Sequence, residues 1–227
     1  MPKRSGRIAA VQNGVGLESL SYWLAMAGIV AFAVTAVLAV ASKGIDLFGA
    51  VVLGVITATG GGTLRDLILG VPVFWATDLN YIWVAIAASV VAFLANALFT
   101  RKEIFALLLY LDGAGVALFA IQATDKVWDL EFGRPLAPVI LGIVTAIGGG
   151  LLRDLLAGRQ NLLMTRELYA TPVLMGCTGY VLVLQFLPGH DVYGAIGCGL
   201  TIFALRAAAI YWNLSVPDWL ATKPKSS

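Results

Sequence analysis

Two pairs of adjacent charged residues stand inside strongly apolar stretches of the chain. Arg65-Asp66 and Arg153-Asp154 each follow a glycine triplet after two residues. A charged side chain costs about 2.5–3.5 kcal/mol near the centre of a membrane helix, so such residues usually mark ion pathways or buried charge pairs. Carboxylates provide oxygen ligands for cations, and guanidinium groups bind anionic groups. The two pairs therefore predict a site that handles ions or small charged solutes.

The residue types that support catalysis are sparse. The chain has two Cys, one His and no CxxC pair, so it lacks the ligand spacing of a zinc or iron–sulfur site. Cys177 and Cys198 lie in apolar stretches and are expected to be small core residues. His190 lies in a short polar gap and is expected in a surface loop. We therefore expect no enzyme, no cofactor and no metal site.

The overall composition is that of a membrane protein. Hydrophobic residues make up 59% and charged residues 12% of the 227 residues, and the mean hydropathy is +0.88. Soluble domains carry about 25% charged residues, so an ordinary soluble enzyme and a disordered chain are excluded. The net charge of +2 comes without a basic block, which excludes nucleic acid as a partner and leaves membrane lipid.

Apolar runs of about 20 residues predict seven transmembrane helices. Their bounds in chain order are 22–41, 46–69, 81–100, 104–123, 135–157, 168–187 and 192–212. A polar leader at 1–20 and a polar tail at 214–227 flank them. Five cations predicted to lie in loops, among them Lys126, are on the side of the N-terminus and seven are on the other side. The positive-inside rule then predicts a multi-pass protein of the cell membrane with its N-terminus outside and its C-terminus in the cytoplasm.

An internal duplication organises these spans. Residues 53–70 and 141–158 align without a gap, and 12 of the 18 positions are identical. The first repeat is predicted at 21–101 and the second at 102–188, with the seventh helix at 189–213 outside both. Because each repeat holds three spans, the second must enter the membrane from the opposite side. The predicted fold is thus an all-α membrane protein built from an inverted three-plus-three repeat and one extra helix.

The glycine triplets are the most unusual feature of the second and fifth spans. Each Gly costs about 1 kcal/mol relative to Ala inside a helix. We therefore expect both helices to break or kink there, beside protein or a water-filled pathway that satisfies the freed backbone groups. The alternative is that glycine only allows close helix packing. The residues concerned are Gly60, Gly61, Gly62, Gly148, Gly149 and Gly150.

Further polar residues lie near the triplets. Thr57 and Thr145 occupy equivalent positions one turn earlier. Asp112, in the fourth span, aligns with Ala25 of the first span and is either a functional acid or a buried partner for an arginine. Neighbouring helix positions point about 100° apart, so the Arg and Asp of each pair are expected to need partners elsewhere. Arg206, near the end of the seventh span, is expected to reach the membrane surface.

Two GGGxxRD motifs on such a repeat resemble the prokaryotic branch of the trimeric intracellular cation (TRIC) channel family, also labelled a glycine-transporter-type domain. The resemblance implies a homotrimer with a potassium-permeable pore in each protomer, lined by the second and fifth helices and hinged at their glycine triplets. It also implies that a monovalent cation, K⁺ or Na⁺, is the permeant ion. The residues expected to line or gate that pore are Thr57, Thr145, Arg65, Asp66, Arg153, Asp154 and Asp112. The alternative function is a secondary transporter or facilitator of a small zwitterion such as glycine, because half-helix ends could hold both of its charges.

Three further expectations follow from this reading. The inverted repeat places the two Arg-Asp pairs toward opposite faces of the membrane. Leucine at Gly61 or Gly149 is expected to block conduction without preventing assembly. Small residues of the first and fourth spans, such as Gly28 and Gly115, are expected either to form the trimer interface or to pack within one protomer.

Overall fold

A computed structural model describes residues 15–95, 101–164 and 168–215 of the chain. Those ranges contain eight α-helices and one short 3₁₀-helix at Leu162–Met164. The α-helices are α1 (Val15–Val40), α2 (Leu47–Leu69), α3 (Phe74–Thr77), α4 (Asn80–Ala95), α5 (Arg101–Asp129), α6 (Leu136–Leu156), α7 (Ala170–Phe186) and α8 (Asp191–Tyr211). Most of the predicted leader and tail, residues 1–14 and 216–227, lies outside the described residues.

Five of these helices, α1, α2, α5, α6 and α8, are long and apolar enough to cross a membrane. The protein is therefore a multi-pass, all-helical membrane protein. Within the described residues, the helices α4 and α7 have 16 and 17 residues, fewer than the roughly 20 that span a typical hydrocarbon core. We still predict that α4 and α7 also cross the membrane, which would give seven spans.

The helix α5 is longer than its predicted span, 104–123, because it continues to Asp129. The prediction ended where apolar residues gave way to polar ones. The helix nevertheless continues as a regular element, with the Thr124 hydroxyl donating to the Ala120 carbonyl at 2.8 Å. This extension places Lys126 in the last turn of α5. The sequence had predicted a loop at that position.

The helices α2 and α6 each run as one element through their glycine triplets. The predicted break in these two helices is therefore wrong, although a bend without loss of helix stays a prediction. Local signals set both ends of α2 away from the triplet: the Asp46 side chain caps its first turn, and Gly70, with φ of 65°, closes its last turn.

The packing of α1 against α5 is reciprocal. The Phe32 and Phe119 rings stack with their centroids 5.4 Å apart. A Cβ atom on Gly28 would lie 3.1 Å from the Phe119 ring, and one on Gly115 would lie 3.3 Å from the Phe32 ring. These small residues therefore pack within the protomer. The paired contacts support a pseudo-twofold relation between the two repeats.

Candidate functional site

The helices α2 and α6 cross with their backbones in contact at the central glycines. A Cβ atom on Gly61 would lie 2.1 Å from the Thr145 carbonyl oxygen, and one on Gly149 would lie 2.4 Å from that of Thr57. Both distances are too short for any side chain. Thr57 and Gly61 are four residues apart, as are Thr145 and Gly149, which is the spacing of small residues at close helix crossings. The packing alternative therefore explains these two glycines.

The outer glycines of the triplets also face packed atoms. A Cβ atom on Gly148 would lie 3.3 Å from Gly61 Cα, and one on Gly60 would lie 2.4 Å from Leu152 Cδ1. Of the remaining two, Gly62 faces the ring of Phe74, and Gly150 faces the hydroxyl of Tyr169. The crossing is therefore closed in this structure.

The two threonines at the crossing differ in their hydrogen bonding. Both are buried. The Thr145 hydroxyl donates to the Leu141 carbonyl at 2.6 Å, whereas the Thr57 hydroxyl has no hydrogen-bond partner among the described residues. Thr57 thus presents an available polar group in the middle of the bundle.

The first charged site consists of Arg65, Asp66 and Lys126. Arg65 Nε lies 2.8 Å and Lys126 Nζ lies 2.7 Å from Asp66 Oδ1. The other carboxylate oxygen accepts a hydrogen bond of 2.9 Å from the backbone N–H of Phe74. The expectation that adjacent Arg and Asp side chains do not meet is wrong here, because the long arginine side chain folds back onto its neighbour. The carboxylate also anchors the loop that follows α2.

The second charged site consists of Asp112, Arg153, Asp154 and Arg206. Arg153 joins two acids: its Nε lies 2.8 Å from Asp154 Oδ1 and its Nη1 lies 2.8 Å from Asp112 Oδ1. Asp154 Oδ2 accepts a hydrogen bond from the Leu162 backbone N–H, as Asp66 does from Phe74. Asp112 is therefore a buried partner of Arg153, one of the two roles that the sequence left open.

Arg206 does not reach the membrane surface as expected. Its side chain is 0% exposed. Its guanidinium lies 4.5 Å from the centroid of the Tyr169 ring, and Nη1 donates to the Leu168 carbonyl at 3.2 Å. Asp112 from α5, 4.0 Å away, compensates the charge of this buried guanidinium. Sequence reasoning missed Arg206 and Lys126 as site residues; the only available signal was a lone cation within or beside an apolar span.

The two charged sites lie toward opposite ends of α1. The first is next to Phe74, whose ring packs on Tyr81, which in turn packs on Tyr22 near the start of α1. On the side of the second site, Arg159 donates to the Ala39 carbonyl near the end of α1, at 3.3 Å. This placement agrees with the arrangement expected from an inverted repeat.

The sites also differ in charge and exposure. The first contains two cations and one acid, and the Lys126 side chain is 33% exposed. The second contains two cations and two acids, and none of its side chains is more than 4% exposed. One site is partly open with a formal charge of +1, and the other is sealed and neutral.

Comparisons with known proteins place this geometry in a family. The model of a family described as "Glycine transporter" matches residues 22–97 and 109–185. The UPF0126 inner membrane protein YadS of Escherichia coli K12 is 36% identical over 205 residues, which cover 88% of this chain and 96% of that protein. The UPF0126 membrane protein YvgT of Bacillus subtilis is 32% identical over 198 residues, covering 86% and 94%. The chain belongs to the UPF0126 glycine-transporter family.

Solved structures show that this UPF0126 chain has the fold of the prokaryotic TRIC channels. A TRIC orthologue from Rhodobacter sphaeroides superposes with a TM-score of 0.81 at 32% identity, covering 86% of this chain and all of the orthologue. A prokaryotic TRIC channel crystallised in 0.5 M KCl gives 0.80 at 27% identity, covering 88% and 100%. A TRIC channel from C. elegans with bound Ca²⁺, at 13% identity, shares the fold alone. The predicted membership of the prokaryotic TRIC family is confirmed.

The family model also bears on the duplication. Its two matched segments in this UPF0126 chain begin at residues 22 and 109 and end at residues 97 and 185. One model thus matches twice, with nearly the same displacement as the repeated glycine motifs. The match agrees with a duplicated unit of three helices.

Proposed function

We propose that the protein is a channel for monovalent cations, permeable to K⁺, with one pore in each protomer of a homotrimer. The observation that carries the proposal is the reciprocal crossing of α2 and α6, flanked at its two ends by the charged sites. The likeness to TRIC channel structures, at up to 32% identity among those compared, supports the same function.

The pathway would follow α2 and α6 from one charged site to the other. Asp66 and Asp154 place carboxylate oxygens near its two ends, and the Thr57 hydroxyl supplies an available oxygen at its centre. Oxygen ligands of this kind replace the hydration shell of an alkali cation. Conduction requires the closed crossing to separate, and the glycines leave no side chain there to obstruct the widened space.

The direct test is conduction by the purified protein. In planar bilayers with a KCl gradient, we expect single-channel steps whose reversal potential lies toward the K⁺ equilibrium potential. Protein-free bilayers are the control. Absence of steps, together with absence of K⁺ efflux from liposomes carrying the folded protein, would overturn the proposal.

The carboxylates at the two ends provide a further prediction. Asp66→Asn and Asp154→Asn are each expected to lower K⁺ conductance or cation-over-anion selectivity, with opposite rectification because they act from opposite ends. One charge within about 4 Å of an ion, at an effective dielectric constant near 20, changes its energy by roughly 4 kcal/mol before screening. Current–voltage curves in symmetric KCl check this.

The same two variants carry their own control. Each carboxylate also anchors the loop after its helix, so size-exclusion profiles must first show that the variants fold and assemble. Well-folded variants with unchanged conductance, selectivity and rectification would remove these acids from the pathway.

A zwitterion transporter is the second candidate. The family description "Glycine transporter" favours it, as does the presence of two guanidinium groups and two carboxylates in one buried site. Those groups already compensate each other, however, and Arg206 Nη2 and Asp112 Oδ2 are only 4.0 Å apart, which leaves no room for glycine between them. Saturable glycine counterflow in liposomes without channel steps would decide for the transporter.

We also propose that the homotrimer uses faces other than the Gly28 and Gly115 surfaces, because those surfaces pack against Phe119 and Phe32 of the same protomer. Many large apolar side chains remain exposed and would contact lipid or neighbouring protomers, among them Phe48, Leu136 and Leu155. Native mass spectrometry in mild detergent is expected to show three copies. A spectrum with only monomers or dimers would contradict this.

For the orientation, we propose seven spans in the cell membrane, with the N-terminus outside and the C-terminus in the cytoplasm. The excess of loop cations on the C-terminal side supports this direction. A fluorescent protein fused after Ser227 should then fold and fluoresce, and alkaline phosphatase at the same position should be inactive. The reverse pattern would show the opposite orientation.

A further inference from the structure

Arg206 stands apart from the other charged residues of the site, because it comes from α8, the helix outside both repeats. It is fully buried and is held by two uncharged contacts, the Leu168 carbonyl and the face of the Tyr169 ring. A guanidinium buried in this way carries a large desolvation cost unless an acid compensates it. The acid that faces it is Asp112, with Oδ2 at 4.0 Å from Nη2.

The comparison of the two repeats explains why a second cation is needed there. Asp112 on α5 aligns with Ala25 on α1. The second charged site therefore contains one acid more than its counterpart, in addition to the acid of its Arg-Asp pair. Arg206, from outside the repeat, adds a cation to the Arg-Asp pair of this site. The two additions cancel, and the site remains neutral.

The contact between Arg206 and Asp112 acts through charge rather than through a direct hydrogen bond. Within the part of the chain that the structure describes, Arg206 Nε and Nη2 and Asp112 Oδ2 are all buried without hydrogen-bond partners. At 4.0 Å, the two groups lie beyond hydrogen-bond distance but within the range of a strong Coulomb interaction in a poorly solvated site. Replacing the cation by a neutral group would leave the site with one uncompensated negative charge.

We propose that Arg206 sets the net charge of the second charged site and thereby determines how strongly that end of the pathway favours cations. The inference rests on the proposed channel function. Arg206 opposes cation entry, and Asp112 favours it. The helix outside the repeat thus tunes a pathway that the two repeats build.

The test compares charge variants in planar bilayers with a KCl gradient. Arg206→Gln keeps a donor for the Leu168 carbonyl but removes the charge. It is expected to raise the K⁺/Cl⁻ permeability ratio by on the order of tenfold, the factor for one charge about 10 Å from the ion at an effective dielectric constant near 20. Asp112→Asn is expected to lower the ratio, and the double variant to return it toward the wild-type value. Lys102→Gln removes an exposed cation from the same chain and is expected to leave the ratio unchanged, because solvent screens that charge.

A charge effect and a structural effect give different results. Arg206→Lys keeps the charge and should keep the wild-type ratio; a shift like that of Arg206→Gln would overturn the proposal. Thermal unfolding in detergent gives a readout independent of conduction: the double variant should be more stable than Arg206→Gln alone, since it restores neutrality. This comparison of stabilities is possible even if Arg206→Gln folds too poorly for bilayer recording, and absence of the coupling would refute the charge balance.

A conducting wild type with unchanged ratios in all variants would refute this inference alone, whereas a wild type that does not conduct would refute the channel and the inference together.

Discussion

Gly61→Ala is expected to lower the free energy of unfolding by about 3 kcal/mol or more, the upper range for overpacking a close contact. The added methyl would lie 2.1 Å from the Thr145 carbonyl oxygen, which belongs to the backbone of another helix and cannot rotate away. Gly149→Ala should have a similar effect, since its methyl would lie 2.4 Å from the Thr57 carbonyl oxygen. SDS titration of the purified protein, followed by circular dichroism, measures the change.

Gly197→Ala is the matched control. Gly197 also lies inside a long helix, but a Cβ atom there would meet nothing within 4 Å. Alanine at this position should stabilise the protein by up to about 1 kcal/mol through helix propensity. Equal stability of all three variants would show that the α2–α6 crossing is not the close contact described. The structure also changes the expectation for leucine at Gly61 or Gly149. Because even a Cβ atom there would overlap a backbone carbonyl oxygen, leucine is expected to disrupt folding, and not only conduction.

Arg153→Gln is expected to be far more damaging than Arg65→Gln, although the two residues occupy equivalent positions in the repeat. Loss of Arg153 leaves Asp112 and Asp154 buried without their shared partner, which costs about 3–5 kcal/mol. Loss of Arg65 leaves Asp66 with Lys126 at 2.7 Å and the Phe74 N–H at 2.9 Å. The expected cost there is about 1.5–3 kcal/mol, that of one hydrogen bond to a charged group.

The same unfolding titration ranks the two arginine variants, and each serves as the control for the other. A third variant, Arg153→Gln with Asp112→Asn, should recover part of the lost stability, because it removes one of the two acids that Arg153 paired and returns the site to neutrality with Arg206. Equal losses at Arg65 and Arg153 would show that the difference in burial between the two charged sites has no energetic consequence.

The sequence predicted the helical membrane fold and the duplication because both leave regular signals in it. Apolar runs mark the spans, and a motif repeated without gaps marks the two copies. The opposite placement of the Arg-Asp pairs followed from the odd number of predicted spans in each copy. Asp112 was recognised because an acid inside an apolar stretch requires a partner.

The features that the sequence did not reveal depend on contacts between distant segments. A glycine triplet reads the same whether it breaks a helix or admits another backbone, and only the position of Thr145 against Gly61 distinguishes the two. Arg206 was expected at the membrane surface because nothing in α8 indicates that Asp112 faces it. Lys126 was placed in a loop because hydropathy measures the apolar run rather than the helix, which continues to Asp129.

The unbroken course of α2 has a consequence for biogenesis. Gly61 docks on a segment that is synthesised about 88 residues later, an interval of roughly 4–18 s at translation rates of about 5–20 residues per second. During that time, the glycine face of α2 must wait in the translocon or in lipid. A broken helix would expose unpaired backbone groups to hydrocarbon throughout the delay, whereas a continuous helix satisfies them internally. The ribosome can therefore complete the second half before the first has found its partner.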